Sequence, residues 1–404
     1  MTAVANAPLV VIGASLAGLR AVQAARASGY TGRVILIGSE RHVPYDRPPL
    51  SKQFLLPGTS PDFLTAEEEL RNELDVEVRL SSTATSLDSQ AHVVTVNGEP
   101  VTYGRLIVAT GAGPRTLPNV PALRGVVTLR TLDDAKSLRE HITPGKRIVV
   151  IGAGFIGSEI ASSAKASGAD VIILEAAPAP LKRALGEVVG QVVSRLHARN
   201  DVQLHLSARI EGLEGKEAVS GVRLTGGTII PADIVVVGIG AAPATSWLIG
   251  SGVELSPLDG GIVCDAQLRT SVPDVYAAGD VVHWPNSIMD STMRLENWTN
   301  AADQGRHAAQ NAVSPETAKP YFTVPYFWSD WYGQRLQVVG KAECDEVVLV
   351  SGHEDSDRWV ALYRAGERLI GAATLNEPRR IMKYRRVIAE RISWNDARAL
   401  FPSD

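Results

Sequence analysis

The chain has 404 residues, of which 45% are hydrophobic and 21% charged, with a formal charge of −4 at pH 7. That is the composition of a soluble globular protein of roughly two to three domains, and the charge is too mild to point to nucleic acid or a membrane surface. No apolar run approaches the roughly 20 residues needed to span a bilayer, and Met1 to Pro8 lacks the basic region of a signal peptide, so a cytoplasmic location is expected.

Residues 9–37 read as a strand, a glycine turn, a helix (Leu19 to Ala27) and a second strand (Arg33 to Ile37). The loop that follows carries Pro44, Pro48 and Pro49 and cannot be a helix interior. Strands are predicted at Val76–Leu80, Val93–Val96 and Leu106–Ala109, the last running into Thr110-Gly111. Gly113, Pro114, Pro118 and Pro121 crowd residues 112–125 and mark a first domain boundary. From Arg147 a second βαβ unit begins, with strand 147–151, helix 155–167 and strand 171–174. Further strands are predicted at Val202–Leu206, Gly221–Leu224 and Ile234–Val237; the last ends at Gly238-Ile239-Gly240-Ala241-Ala242-Pro243, the second boundary. A helix is expected from about Asn300 to Ala312. The tail from Tyr321 carries short strands (Leu336–Val339, Val347–Ser351, Trp359–Tyr363, Leu369–Ala373) and a C-terminal helix. The fold class is α/β: two Rossmann-like dinucleotide-binding domains, the second inserted in the first, plus a C-terminal α+β domain.

The chemistry lies first in two glycine loops, Gly13-Ala14-Ser15-Leu16-Ala17-Gly18 and Gly152-Ala153-Gly154-Phe155-Ile156-Gly157. Each follows an apolar run that reads as a buried parallel strand and opens a helical stretch. In that context the first glycine makes a tight turn, the middle position lets backbone approach a pyrophosphate, and the last lets helix pack on strand. The helix N-terminus then offers N–H groups to the phosphates. Two such loops imply two dinucleotides and electron passage between them. Ser15 replaces the middle glycine of the first loop, where its hydroxyl is itself a candidate for a phosphate bond.

The acid closing the second strand of such a unit commonly accepts from the adenosine ribose hydroxyls. In the second unit it is Glu175, with no Arg or Lys immediately after it to receive a 2′-phosphate, so NADH is expected over NADPH. A surface glutamate at a strand end is the alternative. In the first unit Glu40 is the ribose candidate, in a register open by one residue. The two cysteines, Cys264 and Cys344, lie outside any C-x-x-C spacing, which excludes a C-x-x-C dithiol relay or a cysteine-ligated cluster; both read as buried thiols.

Five further runs carry a family resemblance: Tyr45-Asp46-Arg47-Pro48-Pro49-Leu50-Ser51-Lys52, Ala109-Thr110-Gly111, Tyr276-Ala277-Ala278-Gly279-Asp280, Glu296-Asn297-Trp298-Thr299-Asn300-Ala301 and Tyr326-Phe327-Trp328-Ser329-Asp330. In this order they resemble the NADH-dependent ferredoxin reductases, FAD enzymes that serve bacterial cytochrome P450s and Rieske-type oxygenases. The resemblance covers essentially the whole chain. It implies an FAD-binding domain of residues 1–114 and 245–320, an NADH-binding domain of 115–244 and a C-terminal domain of 321–404. It implies that the first loop (Gly13, Ser15, Leu16, Ala17, Gly18) holds the FAD pyrophosphate with Arg47, that Lys52 sits beside the flavin, and that Asp280 holds the ribitol. Glu40, Thr110, Gly111, Arg130, Gly279, Glu296 and Asn297 complete the implied FAD set, with Trp298 and Trp328 near the isoalloxazine. Glu159 takes the place of the acid that pairs with the lysine near the flavin. NADH falls to Gly152, Gly154, Phe155, Ile156, Gly157, Glu159, Glu175, Gly238, Ile239 and Gly240. Two positions depart from the family pattern: Ser39, where most relatives have an acid, and Trp331, at a position that is often polar.

An ammonium at Lys52 is suited to stabilise negative charge as hydride arrives, with Glu159 orienting it. The plainer alternatives are an exposed Lys–Glu pair, core tryptophans at 298 and 328, and a helix N-cap at Asp280. The resemblance implies that hydride passes directly from NADH to FAD, whose chemistry needs position and electrostatics rather than a nucleophile, and that two electrons then leave singly to a ferredoxin. Arg306, Arg379, Arg380 and Lys383 are candidates for docking that acidic carrier, against the alternative of a solvated helix face. Residues 38–60 hold no cysteine, which counts against the thiol-based NADH oxidases and disulfide reductases. A rubredoxin reductase, or a redox-responsive flavoprotein like apoptosis-inducing factor, are the remaining alternatives.

Overall fold

A computed structural model describes residues 7–118 and 123–400. Pro121 of the first predicted boundary and Met1 to Asn6 lie outside the described residues. The chain divides into two compact units, one comprising Met1–Asp46, Asp62–Gly113 and Ala242–Thr323, the other Arg47–Pro61, Pro114–Ala241 and Val324–Asp404.

The first unit is built on a five-stranded parallel sheet in the order Val76–Arg79, Val34–Ile37, Leu9–Ile12, Arg105–Val108, Val275–Ala277. Leu9–Ile12 and Val34–Ile37 are unbroken apolar runs with every side chain buried, as strands covered on both faces must be. The helix Leu16–Ala27 follows the first strand after a single turn; its buried face is mostly small, with Ala17, Ala21, Ala24 and Ala25. That smallness admits a second helix, Trp298–Val313, at backbone distance: a Cβ on Gly305 would stand 2.2 Å from the Ala17 carbonyl oxygen. Alanine there would force the helices apart.

The second unit repeats the plan with Gln203–His205, Asp170–Leu174, Arg147–Ile151, Ile234–Val237 and Val126–Val127, all parallel. Its glycine loop leads into the helix Phe155–Ala166. The same unit carries a five-stranded antiparallel sheet ordered Tyr326–Trp331, Gln334–Gly340, Arg368–Leu375, Trp359–Ala365, Glu346–Ser351. The helix Pro378–Ala389 buries Ile381, Tyr384, Val387 and Ile388, a stripe at helical spacing. The fold is therefore mixed α/β, with two parallel sheets of Rossmann type and an antiparallel C-terminal sheet. Among the described residues no helix is long and apolar enough to cross a membrane.

Element ends move by one to three residues from those predicted, the helix at Asn300 beginning instead at Trp298. One alternative is corrected: Asp280 precedes the strand Val282–Asn286 and not a helix, so it is no helix N-cap. Cys264 is buried, while Cys344 is only half-buried. The helix Lys182–Arg199 was not read from the sequence.

Candidate dinucleotide loops and a buried lysine–glutamate pair

In the first unit Gly13 has φ +120°, and a Cβ there would meet the Ala109 carbonyl oxygen at 2.0 Å. A Cβ on Gly18 would stand 1.8 Å from the Gly13 oxygen, so both glycines are steric requirements of the turn. Ser15 occupies the N-cap of the helix Leu16–Ala27. Thr110 donates from Oγ1 to the Ala244 carbonyl at 2.8 Å, and Gly111 accepts from Ala244 N–H at 2.9 Å. Glu40 accepts from the Tyr45 hydroxyl. Gly279, at φ +83°, donates its N–H to Gln304 Oε1 at 2.9 Å, which fixes the turn that presents Asp280. Arg294 links three groups there: Asp259 through Nε at 2.6 Å, and both the Asp280 carbonyl (2.9 Å) and Glu296 (2.8 Å) through Nη1. Burial pushes Asp259 up, but the Gly261 amide, His283 and Arg294 hold its carboxyl down at about 2. Asn297 is the N-cap of the helix that Trp298 opens, and Trp298 donates to Asp46.

In the second unit Gly152 has φ +101°; a Cβ there would lie 2.3 Å from the Gly238 oxygen, and one on Gly157 would lie 2.1 Å from the Gly152 oxygen. Gly154 faces open space, its nearest neighbour being the Gly238 oxygen at 4.0 Å. The Glu175 carboxylate spans the loop, accepting from Ala153 N–H and Ala177 N–H, both at 2.8 Å. Its remaining lone pairs are the acceptors a ribose diol requires. Ile156 is exposed, and Phe155 meets Phe327 edge-on at 4.4 Å. Gly240 has φ +96° and its carbonyl accepts from Arg115 N–H at 2.9 Å, holding the Gly238-Ile239-Gly240 turn.

Arg47, Lys52, Arg130 and Trp328 also lie in this unit. Arg47 donates from Nη1 to the Arg130 carbonyl at 2.8 Å, and Thr131 and Asp134 close a capping box immediately beyond. Lys52 Nζ lies 2.9 Å from Glu159 Oε1, and Glu159 is 2% exposed. This is no exposed surface pair. Sequence reasoning missed two further donors to the same carboxylate: Ser51 to Oε2 and Ser329 to Oε1. Trp331 donates from Nε1 to Ser329 Oγ at 2.7 Å. Trp328 lies on the opposite face of that strand, stacked on Tyr326 at 5.9 Å. Trp298 and Trp328 are both half-buried, whereas Trp284, Trp331, Trp359 and Trp394 are buried in the core.

The residues present fit dinucleotides. Each loop combines a glycine turn closed to any Cβ with a helix N-terminus, and Gly154 leaves the space a phosphate needs. In the first unit Asn300 Nδ2 and Gln304 Nε2 are buried donors without a partner, the second beside the Gly279 turn; an acceptor-rich ligand suits both.

Residues 7–305 match the pyridine nucleotide-disulphide oxidoreductase family, and residues 326–403 match a reductase C-terminal domain. The chain belongs to the pyridine nucleotide-disulphide oxidoreductase family. It is 35% identical to rhodocoxin reductase of Rhodococcus erythropolis over 94% of this chain and 89% of that protein. It is 34% identical to the ferredoxin–NAD(+) reductase component of the p-cumate 2,3-dioxygenase system of Pseudomonas putida, over 98% and 96%. Its fold superposes with a TM-score of 0.91 on the reductase of a covalent putidaredoxin reductase–putidaredoxin complex, at 29% identity and covering 96% and 94% of the two chains. This family member is an oxidoreductase whose two cysteines, Cys264 and Cys344, are both free. Neither lies in the loop next to the first βαβ unit, and burial pushes both thiols up, away from the reactive thiolate.

Proposed function

We propose that the chain takes a hydride from NADH onto FAD and passes the electrons singly to a ferredoxin-type iron–sulfur carrier that feeds a monooxygenase or dioxygenase. The observation that carries the reading is the buried Lys52–Glu159 pair in a chain without a redox cysteine pair. It supports charge stabilisation at a flavin in place of thiol exchange. FAD supplies the step from two-electron to one-electron chemistry when bound.

FAD is assigned to Gly13, Ser15, Leu16, Ala17, Gly18, Glu40, Thr110, Gly111, Gly279, Asp280, Glu296, Asn297 and Trp298, with Arg47, Lys52, Arg130 and Trp328. NADH is assigned to Gly152, Gly154, Phe155, Ile156, Gly157, Glu175, Gly238, Ile239 and Gly240. The carboxylate of Glu175 supports NADH because it repels the 2′-phosphate of NADPH.

For the carrier, Arg379 is exposed on the helix Pro378–Ala389, while Arg380 reaches Ser351 Oγ at 2.7 Å and Arg306 pairs with Asp303 at 2.9 Å. Arg379 is therefore the first docking residue to test, with Lys383 after it. Arg379→Glu raises the KM for an acidic ferredoxin and leaves ferricyanide reduction by NADH unchanged; equal loss of both would refute the docking assignment.

Anaerobic stopped-flow mixing of the flavin-loaded protein with NADH, and separately with NADPH, tests the reading. Fast bleaching by NADH alone supports it, and ferredoxin and rubredoxin are then compared as acceptors. Absence of bleaching by either nucleotide refutes it.

A further inference from the structure

We propose that Ser329, its single proton directed by the Trp331 indole, is a positioning residue that holds the Glu159 carboxylate so that it orients Lys52 for hydride uptake. The inference rests on the flavin role of Lys52 proposed above.

A serine hydroxyl has one proton and two lone pairs, whereas an indole N–H can only donate. Trp331 Nε1 therefore occupies a lone pair of Ser329 Oγ, at 2.7 Å, and leaves the hydroxyl one useful direction for its proton. That proton goes to Glu159 Oε1. Lys52 Nζ sits on the same oxygen at 2.9 Å, while Ser51 takes Oε2. Ser329 thus acts on the atom that holds the ammonium. Residues 329 and 331 share one face of the strand Tyr326–Trp331, so the indole reaches back over its neighbour without a turn in the chain.

Trp331 is itself braced. Its ring stacks on His197 with centroids 5.3 Å apart at 22°, His197 Nδ1 meets the Tyr332 hydroxyl at 2.8 Å, and Tyr332 N–H donates to Ser162 Oγ at 2.7 Å. Ser162 belongs to the helix that carries Glu159. Strand and helix are therefore cross-tied on both sides of the carboxylate, and a buried charge is held where one that could rotate would cost more. The aromatic residue at 331, where the family pattern is often polar, has its function in this fixed proton direction.

The test uses the flavin-loaded full chain, with Ser329→Ala, Trp331→Phe, Lys52→Met and Lys52→Met combined with Ser329→Ala. Two quantities are read: the limiting rate of bleaching by NADH against the apparent Kd for NADH, and the midpoint potential of the bound flavin. Ser329→Ala is expected to slow bleaching about tenfold with Kd unchanged. It is also expected to lower the potential by about 30 mV, the tenfold equivalent for a two-electron couple. Added to Lys52→Met, it should change neither quantity further. If Ser329→Ala leaves both at wild-type values, or adds in full to Lys52→Met, the positioning role is overturned. Should Ser329→Ala fail to fold, Trp331→Phe keeps the ring and the hydroxyl but frees the proton. A shift in the same direction then supports the role, and wild-type values overturn it. A wild-type protein that NADH does not bleach overturns the flavin reading, and this inference with it.

Discussion

Trp298 donates its indole N–H to the Asp46 carboxylate at 2.6 Å, joining residues 252 positions apart within the first unit. The bond ties the turn that ends the Tyr45-Asp46 segment to the first residue of the helix packed on the glycine-loop helix. Trp298→Phe keeps an aromatic ring and drops the donor. It is expected to release FAD several-fold faster on dilution, read by flavin fluorescence. The stability loss in urea should be about 1 kcal/mol, below the usual range for a hydrogen bond to a charged group because both partners are only half-buried.

Lys52→Met leaves a 2%-exposed carboxylate that accepts from the Ser51 and Ser329 hydroxyls but has lost its ammonium. Flavin bleaching by NADH is expected to slow by about a hundredfold, the scale of losing one electrostatic group at a reacting centre. Stability should fall by a few kcal/mol, as when one partner of a buried pair is removed. Stopped-flow absorbance and denaturant titration read the two effects separately. An unchanged bleaching rate with lowered stability would make the pair purely structural.

Glu175 ties Ala153 N–H to Ala177 N–H, and in the proposed NADH site its charge is what would repel a 2′-phosphate. Glu175→Gln loses the charge and keeps one acceptor oxygen, but turns its NH2 toward the other amide, because Ala153 and Ala177 bond different carboxylate oxygens. The ratio of kcat/KM for NADH over NADPH is expected to fall about tenfold, with a smaller loss of Tm than in Glu175→Ala because one of the two amide bonds is kept. Glu175→Ala should lower the ratio and Tm together, since the loop amides lose their partner. A ratio that stays at the wild-type value in both variants would place selectivity elsewhere.

Burial pushes the His197 imidazole from its usual 6.5 down to about 4. Between those values the unfolded chain binds the proton and the folded chain does not, so stability rises with pH there. The contribution is full above pH 6.5 and is lost as pH falls through 6.5 toward 4, by up to roughly 3 kcal/mol. Urea midpoints taken from pH 7 to pH 4.5 should show this slope, and His197→Gln should flatten it. Asp259 is held down at about 2 from 3.8, so its contribution is full above the usual carboxylate value and is lost as pH falls through 3.8 toward 2.

The parallel strands were legible because Leu9–Ile12, Val34–Ile37, Arg147–Ile151 and Ile234–Val237 are apolar runs bounded by glycine or polar residues. Helix Lys182–Arg199 was legible in principle: Leu185, Val189, Val192, Val193 and Leu196 are buried at helical spacing. Its start is masked by Leu181 at φ 55° and by Gly186 at φ 73°, neither of which extends a helix. The Lys52–Glu159 pair could be reached only through resemblance, since no periodicity links positions 52 and 159. Ser51 and Ser329 lie inside two of the runs that carry the resemblance, but neither run gives the hydroxyl a partner. A hydroxyl's role depends on which acceptor the fold brings to it, and that information is tertiary.

The first unit is not a continuous stretch of chain. Its helix Leu16–Ala27 finds its partner, Trp298–Val313, only about 270 residues later. At a synthesis rate of about 5–20 residues per second, a nascent chain carries that small-residue face uncovered for on the order of 15–50 seconds. Any ribosomal product released before Thr323 lacks part of both units. The order of the segments thus delays the packing of this helix face until most of the chain has been made.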